Sequence, residues 1–181
     1  ARGDVLGRFS YQDAPGVGSF VDEDVRRSGR RSVRLQAGGP SPNCRVKQSI
    51  ALDPHRSYRF SAWLKTRHLQ PTSNFRLLAM GAKSGQPLTF FEGGVQSTQD
   101  WKQAEVVFST RDETKINVYV GVWSPKAGSV WVDDVAIDPL GLTNVLRRDG
   151  CPFVVRSADG RTTYEEGRDF EPVADPDLGR V

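Results

Sequence analysis

The sequence is poor in the residues that carry most enzyme chemistry. It has only two cysteines and two histidines among 181 residues. Cys44 and Cys151 belong to no Cys-x-x-Cys pair, and neither His55 nor His68 lies in a motif such as His-Glu-x-x-His. These shortages argue against a zinc site and against a histidine-dependent nucleophile. The two cysteines either form a disulfide or stay as separate thiols, and the sequence leaves both alternatives open.

Long apolar runs and sustained helical periodicity are also missing. No segment approaches the roughly 18 apolar residues of a membrane-spanning helix, so we expect no membrane partner. Only residues 12–28 and 143–149 are arguable as helix, and neither keeps a 3.6-residue period over three turns. The chain begins at Ala1 without a recognisable leader, so we expect that a signal was removed or that the sequence is a fragment of a longer protein.

The charge is dominated by arginine. The formal net charge is +3, and 19 of the 25 basic residues are arginines. Five of them lie in the segment RRSGRRSVR (26–34), which could form a phosphate-binding patch or a solvated turn. No aromatic residues alternate with these arginines, as they do in proteins that bind single-stranded nucleic acid. Nucleic acid is therefore an unlikely partner.

Alternating apolar and polar residues predict many short strands. Residues 57–65 (SYRFSAWLK) turn Tyr58, Phe60, Ala62 and Leu64 to one face, and residues 115–123 (KINVYVGVW) turn Ile116, Val118, Val120 and Val122 to one face. Further short runs follow one another with turn sequences such as LDPHRS and SPKAGS between them. This spacing predicts an all-β fold, an antiparallel β-sandwich or jelly roll, over residues 1–140.

The last forty residues differ from the rest. Residues 151–167 contain two strand-like runs around an Asp-Gly turn, which predicts a β-hairpin, and a proline- and aspartate-rich end follows. A lone hairpin is only marginally stable in water. Residues 141–181 are therefore predicted to be a linker and hairpin extension. They are either the start of a following domain or an arm packed on the sandwich through Phe153 or Phe170, and we favour the arm.

The ordered set of strands resembles a known group of proteins. The stretches SGRRSVRLQ, VKQSIALDPHRSYRFSAWLKT, DWKQAEVVFST, INVYVGVW and GSVWVDDVAI, in this order, resemble the jelly-roll carbohydrate-binding modules of families 4, 9, 16 and 22, over roughly residues 5–138. The resemblance implies a galactose-binding-like sandwich, a concave sheet whose aromatic residues stack on sugar rings, and commonly a structural calcium ion.

The residues offer candidates for such a site. A sugar platform needs aromatic rings next to hydrogen-bonding side chains. The outward face of residues 115–123 supplies Asn117, Tyr119 and Trp123, and Gly121 leaves room between the rings. The outward face of residues 57–65 supplies Arg59 and Trp63. Phe90 and Phe91 are candidates for a loop edge of the groove.

Two adjacent carboxylates, Asp133 and Asp134, interrupt the apolar alternation of residues 128–137. The resemblance places Asp133 at the calcium-ligand position of the family, with backbone carbonyls from the turn around Arg31. The family's acidic partner in the first strand is missing, because the matching place reads Phe9-Ser10, so Asp4, Asp22 or another group would have to replace it. Without calcium, Asp133 would bind turn amides or an arginine.

The resemblance implies a non-catalytic module that binds polysaccharide beside a catalytic domain in a secreted protein. Two alternatives remain: a structural spacer with the same fold and no ligand, and an enzyme that acts on glycans. The carboxylate pairs do not favour the enzyme, because neighbours on a strand point to opposite faces. The sequence does not identify the glycan.

Overall fold

The computed structural model describes residues 9–11, 13, 16–37, 42–90, 94–140 and 153–172. These residues form twelve β-strands and one short 3-10 turn (Thr72–Asn74), and there is no α-helix among them. No helix in this part of the chain has the length and apolar character needed to cross a membrane. The strands are β1 (Ser10–Tyr11), β2 (Ser19–Asp22), β3 (Ser32–Gln36), β4 (Asn43–Ala51), β5 (Ser57–Gln70), β6 (Phe75–Gly81), β7 (Pro87–Phe90), β8 (Gln99–Ser109), β9 (Lys115–Trp123), β10 (Ala127–Leu140), β11 (Val155–Arg156) and β12 (Thr163–Tyr164).

Ten of the strands form two five-stranded sheets. Sheet A has the strand order β1-β4-β9-β6-β7, and sheet B has the order β2-β3-β10-β5-β8. The pairings of β9 with β4 and β6, and of β8 with β5, are antiparallel. The predicted all-β antiparallel sandwich is therefore confirmed.

The core lies between the inner faces of the two sheets, as the alternation predicts. In sheet A, β9 buries all four of its predicted apolar residues completely, and in sheet B, β5 buries Tyr58, Phe60, Ala62 and Leu64. The Cys44 thiol also points into the core, and burial raises its pKa to about 12. Cys151 lies outside the described residues, so the disulfide question stays open.

A bulge interrupts β10 at the two adjacent carboxylates. Val130 and Val132 are fully buried or nearly so, and two-residue alternation would turn Asp134 inward next. Asp134 instead has a positive φ of 45° and is exposed, while Val135 and Ile137 pack against the core. The bulge thus shifts the inward face by one residue, which allows the strand to carry both carboxylates without burying either one.

The chain divides into two compact units, residues 1–139 and 140–181. In the second unit, β11 and β12 pair antiparallel around a turn at Gly160, which has a φ of 71°, and the predicted hairpin is present. The rings of Phe153 and Phe170 meet edge to face, with their centroids 6.0 Å apart. The helix considered at residues 143–149 lies outside the described part, and residues 16–28 contain strand and bends.

Candidate functional site

The outer face of sheet A combines aromatic and basic side chains. Register places Arg45 of β4 opposite Gly121 of β9, and Gly121 opposite Arg76 of β6. One row further along, Lys47 lies opposite Tyr119. We call this surface the sheet A face, and its members are Arg45, Lys47, Arg76, Asn117, Tyr119, Gly121 and Trp123.

Gly121 allows the basic side chain of the neighbouring strand to lie between the two rings. A Cβ at this position would be 2.5 Å from the carbonyl oxygen of Cys44 and 2.7 Å from both the Cα and the Cγ of Arg45. The guanidinium of Arg45 lies over the Trp123 ring, 5.2 Å from its centroid. The space predicted between the rings is therefore occupied by Arg45.

Asp13 positions this arginine. The carboxylate of Asp13 accepts a hydrogen bond from the Arg45 backbone amide at 2.7 Å and lies 3.3 Å from the guanidinium Nη2. Both side chains are largely buried, with 19% and 7% exposed. Arg45 is therefore held in place next to Trp123, and its charge is balanced by Asp13.

The next two rows along β9 offer different chemistry. The Lys47 ammonium lies 5.4 Å from the centroid of the Tyr119 ring. In the following row, the Ser49 hydroxyl donates to Oδ1 of Asn117. Within the described residues the NH2 group of Asn117 has no partner, so it can donate to a ligand.

Charge is distributed unevenly between the sheets. The strands of sheet A contain four basic residues, Arg45, Lys47, Arg76 and Lys115, and no Asp or Glu. The strands of sheet B contain five Arg or Lys and six Asp or Glu. Ion pairs join Arg34 to Asp22, Arg59 to Glu105 and Lys65 to Asp100. The two sheets thus differ in their carboxylates, because the basic residues of sheet A have no Asp or Glu beside them in its strands.

The structure places Trp63 and Arg59 on the opposite side of the sandwich. Both lie on the outer face of sheet B, because β5 belongs to that sheet. The guanidinium of Arg27 covers the Trp63 ring at 3.7 Å from its centroid, which is contact distance. Arg59 forms an exposed ion pair with Glu105. The five candidate carbohydrate-binding residues therefore belong to two separate surfaces.

The arginine run has partners within the chain. Besides covering Trp63, Arg27 donates to Asp134. Arg31 pairs with Glu23 at 3.1 Å, and Arg34 lies over the Phe20 ring and near Asp22. Most of the five arginines in this segment therefore serve contacts within sheet B and its turns.

Asp133 and Asp134 hold the turn that contains this run. Oδ2 of Asp133 accepts hydrogen bonds from the backbone amides of Arg27 at 2.8 Å and Ser28 at 3.2 Å. Oδ1 of Asp133 accepts one from the amide of Asp134. The Ser28 hydroxyl and the Arg27 guanidinium donate to Asp134, and they keep the pKa of that carboxyl below its usual range.

These surroundings do not fit a calcium ion. Calcium requires six to eight oxygen ligands, whereas Asp133 and Asp134 face N–H donors and a guanidinium. Asp22 accepts the Trp131 indole N–H at 2.9 Å and two backbone amides, and Asp4 lies outside the described residues. Among the described residues no three Asp, Glu, His or Cys side chains are grouped to hold a metal. Calcium stays a prediction of the family resemblance.

A cavity lies at this end of the sandwich. It has a volume of about 340 Å³ and is lined by apolar side chains such as Phe9, Val46 and Val132, with Asp133 at its wall.

Sequence patterns did not reveal the basic members of the sheet A face. The alternation in β4 could have placed Arg45 and Lys47 outward, but not next to β9, because these strands are about 70 residues apart in the chain. Phe91 lies outside the described residues, as does the side chain of Phe90. The useful signal was the isolated Gly121 inside a strand, which is typical of close approach by a neighbouring group.

Comparison with protein families gives a match to the family described as "carbohydrate binding domain" (CBM 4/9), over residues 3–128. The matched range covers more than two thirds of the chain. Comparison with curated protein sequences gave no match.

Solved structures of similar fold include several carbohydrate-binding modules. The xylan-binding CBM22-1 domain of Xyn10C from Paenibacillus barcinonensis is 11% identical with a TM-score of 0.54, covering 77% of this chain and 90% of that one. A CBM4 module is 15% identical with a TM-score of 0.51, covering 68% and 79%. The CBM22-1 and GH10 modules of Clostridium thermocellum Xyn10B, complexed with xylohexaose, are 13% identical with a TM-score of 0.51, covering 78% and 28%. At this identity the similarity is one of fold.

Proposed function

Because the chain belongs to this family of carbohydrate binding domains, we propose that it is a non-catalytic module that binds polysaccharide across the sheet A face. One observation carries the proposal: Tyr119 and Trp123 lie on the same strand, on the same outward face, two residues either side of Gly121. Every second side chain of a strand projects to the same face, so residues four positions apart also share a face. The two rings can therefore contact successive parts of one glycan chain.

The chemistry of the face suits a sugar. The C–H face of a pyranose packs on an aromatic plane, while its hydroxyls need donors and acceptors at the edge. Asn117 supplies an NH2 donor in the same stripe, and Arg45 supplies further donors beside Trp123. An aromatic ring with fixed hydrogen-bonding neighbours can hold a sugar with little loss of side-chain entropy.

Sheet B is a weaker candidate for the platform. One face of the Trp63 ring is already covered by Arg27, which is also engaged by Asp134. A sugar would have to displace the guanidinium and break that ion pair before it could stack. The Arg45 guanidinium also lies over the Trp123 ring, but at 5.2 Å from the centroid it is beyond the contact distance of Arg27 and Trp63.

The proposal extends to the setting of the module. In a solved structure of similar fold, the module is joined to a GH10 catalytic module. We propose that this chain likewise acts in a secreted protein, next to a catalytic domain whose concentration on the polysaccharide it raises. Covalent attachment alone produces this effect, since once the module is bound, the encounter of the attached catalytic domain with the polysaccharide becomes intramolecular.

The test compares two tryptophans on opposite faces. Trp123→Ala should weaken binding to a soluble glycan by about 1 to 3 kcal/mol, the contribution of aromatic stacking measured in other proteins. Trp63→Ala is the matched control and should leave the affinity unchanged. A panel of soluble xylan, β-glucan and mannan in affinity electrophoresis provides the measurement.

The outcomes separate the alternatives. Loss of binding with Trp63→Ala but not with Trp123→Ala would move the platform to sheet B. Failure to bind any glycan in a broad array would favour a structural spacer. Hydrolysis of a glycan by the isolated chain would make it an enzyme and would contradict the non-catalytic assignment.

A further inference from the structure

The sheet A face carries positive charge that the described part of the chain does not neutralise. Lys47 and Arg76 form no ion pair with any described acidic residue, and the strands of their sheet contain no Asp or Glu. The Arg76 guanidinium donates to backbone carbonyls, including that of Phe75 at 2.9 Å, which fixes its position without cancelling its charge. Two cations are therefore held on the face proposed to bind glycan.

Three of the five basic residues in the strands of sheet B, by contrast, have a carboxylate partner within the chain. On sheet B, Arg34, Arg59 and Lys65 each have a carboxylate partner, and Arg27 pairs with Asp134. The overall composition does not explain this difference between the sheets, because the whole chain has nearly equal numbers of basic and acidic residues, 25 and 22. Within the part of the chain that the structure describes, no carboxylate pairs with Lys47 or Arg76, and an external anion can supply the complementary charge.

The spacing of ring and charge matches a particular kind of sugar. A uronic acid carries its carboxylate directly on the ring carbon C5, so a uronate stacked on an aromatic side chain brings its charge beside that ring. The Lys47 ammonium lies over the Tyr119 ring, 5.4 Å from its centroid, so an anionic group of a sugar bound at that ring can pair with it. A sulfate ester on a ring hydroxyl would place an anion in a similar position.

We propose that the ligand of the sheet A face is an anionic polysaccharide, whose sugar rings pack on Tyr119 and Trp123 and whose carboxylate or sulfate groups pair with Lys47 and Arg76. This inference rests on the proposed function, because it needs the same face to bind glycan. It adds the chemical class of the ligand, which neither the family match nor the fold determines.

The experiment compares glycans that differ only in charge. Calorimetric titrations would use polygalacturonate and its methyl-esterified form, and chondroitin sulfate and desulfated chondroitin, with a single-stranded oligonucleotide as a non-carbohydrate polyanion. We expect at least one charged polysaccharide to bind about two- to fivefold more tightly per engaged cation than its less charged partner, the effect of a surface ion pair. The pair that shows the difference distinguishes uronate from sulfate.

The preference for the charged polysaccharide should diminish when the ionic strength rises from about 0.01 M to about 1 M, which shortens the screening length from about 30 Å to about 3 Å.

Two charge variants test whether the sheet A face causes the preference for the charged polysaccharide. Lys47→Gln and Arg76→Gln should each remove about two- to fivefold of the affinity for the charged polysaccharide and leave affinity for methyl-esterified polygalacturonate unchanged. Lys102→Gln is the control, because it removes one exposed positive charge from β8 of the other sheet.

Each result bears on one of the two proposals. Equal binding of the charged and uncharged forms, insensitive to salt and to both variants, would overturn the anionic ligand and leave glycan binding intact. Tighter binding of the oligonucleotide than of every polysaccharide would also overturn it and assign the face to nucleic acid. Absence of binding to all the glycans would overturn the proposed function itself.

Discussion

Asp22 connects three parts of sheet B through one buried carboxylate. Oδ1 accepts the amides of Asp24 and Val25, and Oδ2 accepts the indole N–H of Trp131. Burial raises the pKa of Asp22, but these hydrogen bonds, together with Arg34, outweigh it and leave the pKa below its usual range. The ionised form is therefore the one that stabilises the fold.

This arrangement predicts a pH-dependent stability. Asp22→Asn cannot accept the Trp131 N–H and the two amides with the same side chain, so it should lower the free energy of unfolding at pH 7 by about 1 to 3 kcal/mol. Because the folded pKa lies below the unfolded value of about 3.9, the carboxylate contributes fully above that pH and loses its contribution as the pH falls further. The difference between wild type and variant should therefore shrink below about pH 4.

Urea unfolding at neutral and acid pH measures this difference. Asp24→Asn is the matched control, since Asp24 is exposed and carries the same charge. A gap between wild type and Asp22→Asn that stays constant down to low pH would mean that the Asp22 carboxylate is not the titrating group.

At the scale of elements, β4 and β9 are in contact through a residue without a side chain. Gly121→Ala would place a methyl group 2.5 Å from the Cys44 carbonyl oxygen and 2.7 Å from the Arg45 Cα. These are backbone atoms, which cannot move away without distorting the pairing of the two strands. We expect a loss of about 1 to 3 kcal/mol of stability, as in other overpacked sites, together with weaker glycan binding. Lys115→Ala, on the same strand and exposed, is the control for thermal melting. An unchanged Tm for Gly121→Ala would contradict this prediction and show that β4 and β9 can accommodate the methyl group with no loss of stability.

The bulge in β10 gives a second prediction at this scale. Asp133→Ala removes the acceptor for the amides of Arg27 and Ser28, and each such hydrogen bond typically contributes about 0.5 to 1.5 kcal/mol to stability. If Asp133 acts only through these amides, a chelator should leave the Tm of the wild type unchanged. A chelator-dependent fall in the Tm of the wild type that is absent in Asp133→Ala would instead support calcium, because a bound ion stabilises the native state by mass action.

The alternation within single strands predicted which side chains point inward, because this pattern is local. It could not predict which sheet each strand joins. Trp63 and Trp123 have the same outward pattern, and only the pairing of distant strands places them on opposite sides of the sandwich. The bulge at Asp134 was also not predictable, since it depends on contacts with Arg27 and Ser28, about 105 residues away.

At the scale of the whole molecule, the two compact units predict independence. The sequence favours an arm packed on the sandwich through Phe153 or Phe170, and this packing stays a prediction. The alternative is a separate unit, which fits the division of the chain at residue 140 and the contact of these two rings with each other. Removing residues 141–181 should therefore shift the Tm of the sandwich by less than about 3 °C, the shift produced by roughly 1 kcal/mol in a domain of this size.

Differential scanning calorimetry and glycan titration of the shortened chain check this expectation. Both the Tm and the affinity should equal those of the full chain. A large fall in the Tm, or precipitation of the shortened chain, would show that the second unit covers apolar surface of the sandwich and would confirm the packed arm that the sequence favours.

From the charged residues of the strands, four basic and no acidic in sheet A against five basic and six acidic in sheet B, we expect an electric dipole across the two sheets with its positive end on sheet A. Near a polyanionic matrix this dipole experiences a torque, which turns sheet A towards the matrix before any contact is made. The first collisions then occur in the binding orientation, so a larger share of them is productive. Salt would lower the rate of capture more than it raises the rate of release, because screening acts on the approach over distances that the bound state no longer spans.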